Sequence, residues 1–153
     1  MKVSTRFTIA IHTLICIAYF GESYKVTSSF ISSSVNVNPV IIRRILGQLK
    51  DAGIVKVEAG VGGASIIKNL SDITLLDIFY AVESIDDSFF HFHDNPNSFC
   101  PVGNSIHNVL DKKLIGIQQA MENSMKSITL ESLVEDAKNQ ISKNQQINRQ
   151  SPE

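Results

Sequence analysis

Hydrophobic positions recur along this chain in two periods. Between Ser4 and Phe20, the residues Phe7, Ile11, Leu14 and Ala18 repeat at spacings of three and four, which puts them on one face of a helix. The opposite face carries Ile9, Cys16 and Phe20. A helix apolar on two sides is covered twice, so something beyond its own domain is expected to pack on it. Thr27 suits the cap of a short helix, Ser28 to Ser34, with Phe30 and Ile31 turned inward. In "VNVNPVIIRRILGQLKDAG" Asn38 is a favoured N-cap, Pro39 fits the first helical position, and Gly53 fits the left-handed residue past the end. Ile42, Ile45, Leu46 and Leu49 form its buried stripe. Val40, Arg44, Gly47 and Asp51 lie opposite, flanked by Arg43 and Gln48, so both arginines leave the core.

The period then changes. Ile54 to Glu58 and Ala64 to Lys68 are short, β-branched and roughly alternating, joined by a glycine-rich tip, and predict a β-hairpin. "ITLLDIFYAVE" returns to helix, with Thr74 and Asp77 spaced as a capping box. Residues 85–104 hold two prolines and three asparagines and read as irregular. From there Ile106, Leu110, Leu114, Ile117, Met121 and Met125 mark a long helix with one narrow seam, which needs a partner to cover it. "ITLESLVEDAKNQIS" predicts a last helix, and the polar tail from Lys143 is expected to be frayed or disordered. No internal repeat is evident. The fold class is mainly α with a small β-hairpin wing: a winged helix-turn-helix domain over residues 1–84, a linker or sensor loop over 85–104, dimerisation helices over 105–142, and a tail over 143–153.

Composition narrows this further. Of 153 residues, 43% are hydrophobic, enough for a packed core. The most apolar run, Ile9 to Phe20, falls short of the ~20 residues a membrane span needs, and the N-terminus lacks a signal-peptide pattern. Two cysteines do not make a disulfide framework, so a cytoplasmic location is expected. Residues 1–70 carry eight Lys/Arg against three Asp/Glu, a net +5, whereas residues 71–153 carry six against twelve, a net −6. The basic half is the one that could meet a polyanion.

Helix, short helix, turn, helix and hairpin is the order of a winged helix-turn-helix. The DNA major groove admits one α-helix, whose N-terminal side chains reach base edges and whose unpaired N–H groups favour phosphate. The expected contacts to double-stranded DNA are Thr27, Ser28, Asn38, Pro39, Val40, Arg43, Arg44 and Gln48, with Lys56, Gly60, Gly62 and Gly63 from the wing.

The run "NPVIIRRILGQLKDAGIV", followed by "GVGGA" and "ITLLDIFYAVE", resembles the Rrf2 family of bacterial winged-helix transcriptional regulators from the N-terminus to about residue 140. The resemblance implies a homodimer joined through the long helix, a palindromic operator and, as the expected role, repression. Cluster-binding relatives carry three cysteines between the fourth and fifth helices. Only Cys100 stands in that segment here, so no iron–sulfur cluster held by the chain's own cysteines, and no other cofactor, is expected. Where the family's wing often has an arginine, this chain has Ala59 beside Glu58. "CPVG" resembles the thiol-bearing branch, whose members respond to disulfide or electrophile stress. Cys100 is thus the candidate redox sensor, before a helix start that would lower its pKa. A bridge to Cys16 of a second subunit would require Cα atoms within ~7 Å.

Other chemistries stay open at this point. His91, His93 and His107 bracket Cys100, but without the tight ligand pairs of a structural zinc site, and no metal is expected. A cysteine-dependent enzyme would need a positioned base, and no oxyanion-hole or phosphate-loop motif accompanies these histidines, so the chain is not expected to be an enzyme. A winged-helix module binding protein instead of DNA remains compatible with the apolar Val40 and Ile41.

Overall fold

The computed structural model describes residues 4–60, 62–83 and 89–150. Its elements run α1 (Thr5–Phe20), α2 (Ser28–Val35), α3 (Pro39–Asp51), β1 (Val55–Glu58), β2 (Gly63–Ile66), a 3-10 turn (Leu70–Asp72), α4 (Leu75–Val82), α5 (Pro101–Lys126) and α6 (Leu130–Gln150). The helices of the first half start where their caps dictate. Ser4, Thr27, Asn38 and Thr74 each accept a backbone N–H from the first turn, and Thr74 with Asp77 closes a reciprocal capping box. Gly53 adopts φ +71° after α3. That conformation lets Gly53 and Ile54 donate back to the Lys50 and Leu49 carbonyls, the paired bonds that end a helix on a left-handed residue.

One core joins both halves. Ala10, Leu14 and Ile17 of α1 meet Ile31 of α2, the four-residue stripe of α3, Ile78 and Val82 of α4, and Leu130 and Val134 of α6. The second apolar face of α1 is therefore covered within the chain. Cys16 is buried with its thiol donating to the Ser34 hydroxyl of α2, and Phe20 packs edge-on against Phe30 at 5.1 Å. The helix α6, from outside residues 1–84, also packs on α1.

β1 and β2 pair antiparallel with Val55 opposite Ile66 and Glu58 opposite Gly63. This wing is fastened at its base, where Ala64 N–H donates to the Val26 carbonyl at 2.9 Å. Gly63, at φ +79°, lies so close that a Cβ there would stand 3.0 Å from Val26 backbone atoms.

Two expectations change. α5 begins at Pro101 rather than near Ile106, so the irregular segment is shorter by four residues than the expected 85–104. α6 continues to Gln150, so the polar stretch from Lys143 is helical rather than frayed. Two Ile-Thr-Leu segments, Ile73-Thr74-Leu75 and Ile128-Thr129-Leu130, pair with each other. Thr74 and Thr129 form an antiparallel bridge, with Leu75 N–H donating to Ile128 and Leu130 N–H to Ile73, at 2.9 and 2.8 Å. Each threonine then caps the helix that follows it.

Gly63→Ala is expected to destabilise the chain by about 1–3 kcal/mol through its left-handed backbone, with a further loss from the Val26 contact. Gly60→Ala, at φ +73° with open space around it, should show the backbone cost alone. Denaturant unfolding of the two variants checks this ordering, and equal stability of both would refute it.

Candidate nucleic-acid interface

Burial of Ile42, Ile45, Leu46 and Leu49 turns the opposite face of α3 to solvent. Three residues, Asn36 to Asn38, separate α2 from α3, and Asn36 takes the left-handed conformation (φ 59°, ψ 48°) that reverses the chain. Asn38 Oδ1 accepts the Val40 N–H at 2.9 Å, which caps the tip of α3. Val40 beyond it is 60% exposed. Arg43 and Arg44 are both exposed, and among the described residues neither enters an ion pair. Two cations and one aliphatic side chain at a capped helix tip can meet phosphate, base edges and a thymine methyl. Thr27 caps the start of α2, with Ser28 half-buried as its first residue. Pro39 is half-buried and serves the cap.

Gln48 departs from the expected set. Its Nε2 donates to the Val82 carbonyl at the end of α4, at 3.4 Å, and its Oε1 is buried. At 100° per residue, position 48 lies on the flank of α3 away from Arg43, and that flank faces α4. Gly63 departs too, being buried against Val26. Gly62 is half-buried, and a Cβ there would overlap Glu58. Gly60 is exposed at the tip, and Val61 lies outside the described residues. Lys56 lies 3.7 Å from Glu58, both well exposed, so a carboxylate stands beside the cation expected to contact DNA. Sequence reasoning passed over Tyr24 and Lys25, both exposed just before the cap of α2. Their only signal was a basic and an aromatic residue ahead of a capped helix.

The second region of interest is the start of α5. Cys100 occupies its N-cap position, exposed, with Pro101 at the first helical position. Gly103 is required here, since a Cβ would stand 2.3 Å from the Asn97 carbonyl oxygen. Asn97 folds back over this first turn, and its carbonyl accepts the Cys100 N–H at 3.1 Å. The Gly103 N–H, and after it the Val102 N–H, favour the thiolate and lower the Cys100 pKa, against a small opposing effect of desolvation. Nearby, His93 stacks on His107 with ring centroids 5.7 Å apart, and His107 Nδ1 lies 3.1 Å from Asp111 Oδ1. Phe89 stacks on Phe79 of α4 and donates its N–H to the Gln118 side chain.

Among the long-helix residues, Ile106, Leu110, Leu114, Met121 and Met125 are half-buried. By helical geometry most of them share the side of Gln118 and Glu122, and Glu122 accepts the Tyr80 hydroxyl of α4. Ile117, at 55%, is exposed, as are Val102 and Val109. Part of the expected seam is thus turned toward the chain's own α4, and an adjacent apolar stripe faces outward.

These features define a winged helix-turn-helix protein with a C-terminal helical extension, and comparison with known proteins agrees. The Rrf2 family profile, described as an iron-dependent transcriptional regulator, matches residues 3–136, and the chain belongs to that family. It is 41% identical over 132 residues to a protein named as an HTH-type transcriptional regulator, YwnA of Bacillus subtilis (strain 168), covering 86% of this chain and 96% of YwnA. A crystal structure described as that of a DNA-binding protein superposes with a TM-score of 0.65 at 39% identity, covering 84% of this chain and 97% of the other. CymR, the global cysteine regulator of B. subtilis, shares the fold with a TM-score of 0.67 at 21% identity, over 88% of this chain and 97% of its own. The chain is therefore a transcriptional regulator with a DNA-binding fold. The iron dependence in the family description does not fit the donor groups among the described residues. Cys16 is buried and bonded to Ser34, Cys100 is alone at the α5 cap, and among the described residues no three His, Cys, Asp or Glu side chains converge on a metal position.

Alkylation by iodoacetamide, followed by peptide mass spectrometry over a pH series, should modify Cys100 with a midpoint below that of an unstructured cysteine. Cys16 should react only after unfolding. Equal rates for the two thiols in the folded protein would contradict both placements.

Proposed function

We propose that two copies of this chain pair through α5 and act as a repressor in the cytoplasm, binding a duplex operator with twofold symmetry. In this reading residues 1–84 contact DNA, the segment before Pro101 senses, and α5 with α6 assembles the dimer. The observation that carries it is the solvent face of α3: Val40, Arg43 and Arg44 stand beside a capped helix tip with no ion pair to neutralise them among the described residues. A twofold pair would set its recognition helices about one DNA turn apart, ~34 Å. Pairing through α5 is supported by the outward apolar positions Val102, Val109 and Ile117. Phe99, 96% exposed, stands just ahead of them before the Cys100 cap. With Glu58 beside Lys56, the strands of the wing carry no net charge, and affinity rests mainly on α3. Cys100 then serves as the thiol that reports oxidative or electrophile stress, its exposure and its lowered pKa both favouring reaction.

In-vitro selection of duplex sequences, followed by titration at two salt concentrations, tests this function. A log–log salt slope of several units is expected from phosphate contacts. Arg43→Glu and Arg44→Glu should each weaken binding by at least about tenfold, while sedimentation still reports a dimer. Unaltered DNA affinity in both variants would place the interface elsewhere. Cys100→Ser should bind DNA as before and lose the response to mild oxidation. An oxidised serine variant that still changed its affinity would remove Cys100 from the sensor role.

A further inference from the structure

Between the end of α1 and the base of the wing lies a groove of about 400 Å³, within the size range of small-molecule sites. Its floor is aliphatic, made by Ile17, Ile66 and Leu70. Its rim carries one charge of each sign, Glu22 following α1 and Lys68 following β2. Both are exposed, and neither forms an ion pair with the other or with any described residue. Ile17, Ile66 and Leu70 line the same groove as these two charges.

The geometry points to a binding site for a free α-amino acid with an uncharged aliphatic side chain. Its ammonium would meet Glu22, its carboxylate would meet Lys68, and its side chain would lie on Ile17, Ile66 and Leu70. A simple anion is disfavoured by Glu22 and a simple cation by Lys68, whereas a zwitterion satisfies both at once. A neutral hydrocarbon would use the floor and leave the two charges without purpose. Asn69 adds a polar group at the Lys68 end: its Nδ2 donates to Asp72, which leaves its Oδ1 able to accept a ligand N–H.

The position of the groove makes it suited to control. Its walls are α1 with the start of the following loop on one side, and β2 with the residues after it on the other. The same two segments are joined by the Ala64 N–H to Val26 carbonyl bond, and Val26 precedes Thr27, the cap of α2. A ligand bridging Glu22 and Lys68 adds a second tie between the wing and the helix-turn-helix, so it acts on their relative position without touching the α3 tip. That consequence rests on the DNA-binding reading above; occupation of the groove does not.

The test uses the full chain without DNA, so that its failure leaves the operator-binding reading intact and the reverse also holds. L-leucine, L-valine and L-isoleucine are titrated by saturation-transfer NMR and calorimetry, with N-acetyl-leucine and leucinamide as the singly charged controls. At least one free amino acid should bind with saturation below about 10 mM, and both controls should bind at least about tenfold more weakly. Glu22→Gln and Lys68→Met, both at exposed positions, should each weaken the amino acid at least about tenfold while circular dichroism and thermal unfolding stay unchanged. Absence of binding by all three amino acids would overturn the proposal. So would equal binding of N-acetyl-leucine, or wild-type affinity in both variants.

Discussion

Burial of Ile42, Ile45, Leu46 and Leu49 fixes the rotation of α3 about its own axis, and most of the functional surface follows from that rotation. Four aliphatic side chains on one face can enter the core in only one orientation, each worth about 1.5–3 kcal/mol when fully buried. Turning the helix by one residue would expose them and draw Arg43 or Arg44 into apolar surroundings, where an unpaired charge is far more costly than any gain. The arginines are therefore held outward by the residues between them and the core, with no bond of their own required. The cap at Asn38 and the left-handed Gly53 mark the two ends of the same segment, so its length is defined as well as its rotation.

The second constraint acts between the halves of the chain. Two Ile-Thr-Leu segments, far apart in sequence, each place one apolar residue in the core beside a threonine that caps the next helix. Ile73 and Leu130 are both buried, and the Leu130 N–H donates to the Ile73 carbonyl across the bridge. α4 and α6 thus start from one shared point. This joint ties the C-terminal helices to the winged domain, and α5 runs between its two ends: it contacts α4 through Tyr80 and Glu122 and leads directly into α6. A disturbance at the start of α5, where Cys100 sits, has a packed route to α4 through Phe89 and Phe79. α4 in turn touches α3 through Gln48.

The Cys-Pro-Val-Gly motif has a purely local logic. Proline starts the helix, and glycine in the first turn lets the Asn97 carbonyl pass at a distance no side chain would permit. The thiol is left at the helix N-terminus, where backbone N–H groups favour its ionised form. Cys16 shows the contrast. On a helix face packed against α2 it bonds to a hydroxyl and is shielded from solvent, so the two cysteines of the chain share a chemistry and little else.

Local signals in the sequence determined the element order, the caps at Thr27, Asn38 and Thr74, the end of α3 at Gly53, and the outward placement of Arg43 and Arg44. All of these depend on residues within a few positions of one another, and periodicity with capping chemistry reads such short distances directly. What only the tertiary structure decided involves contacts between segments remote in sequence. Gln48 was drawn to Val82 because the flank of α3 that carries it faces α4. Gly63 proved to be a packing contact with Val26 rather than part of an exposed tip. The apolar repeat of α5 divided between a side turned to α4 and a side facing out. Periodicity reports that a helix face is apolar; which neighbour covers it is set by how the whole chain closes on its core.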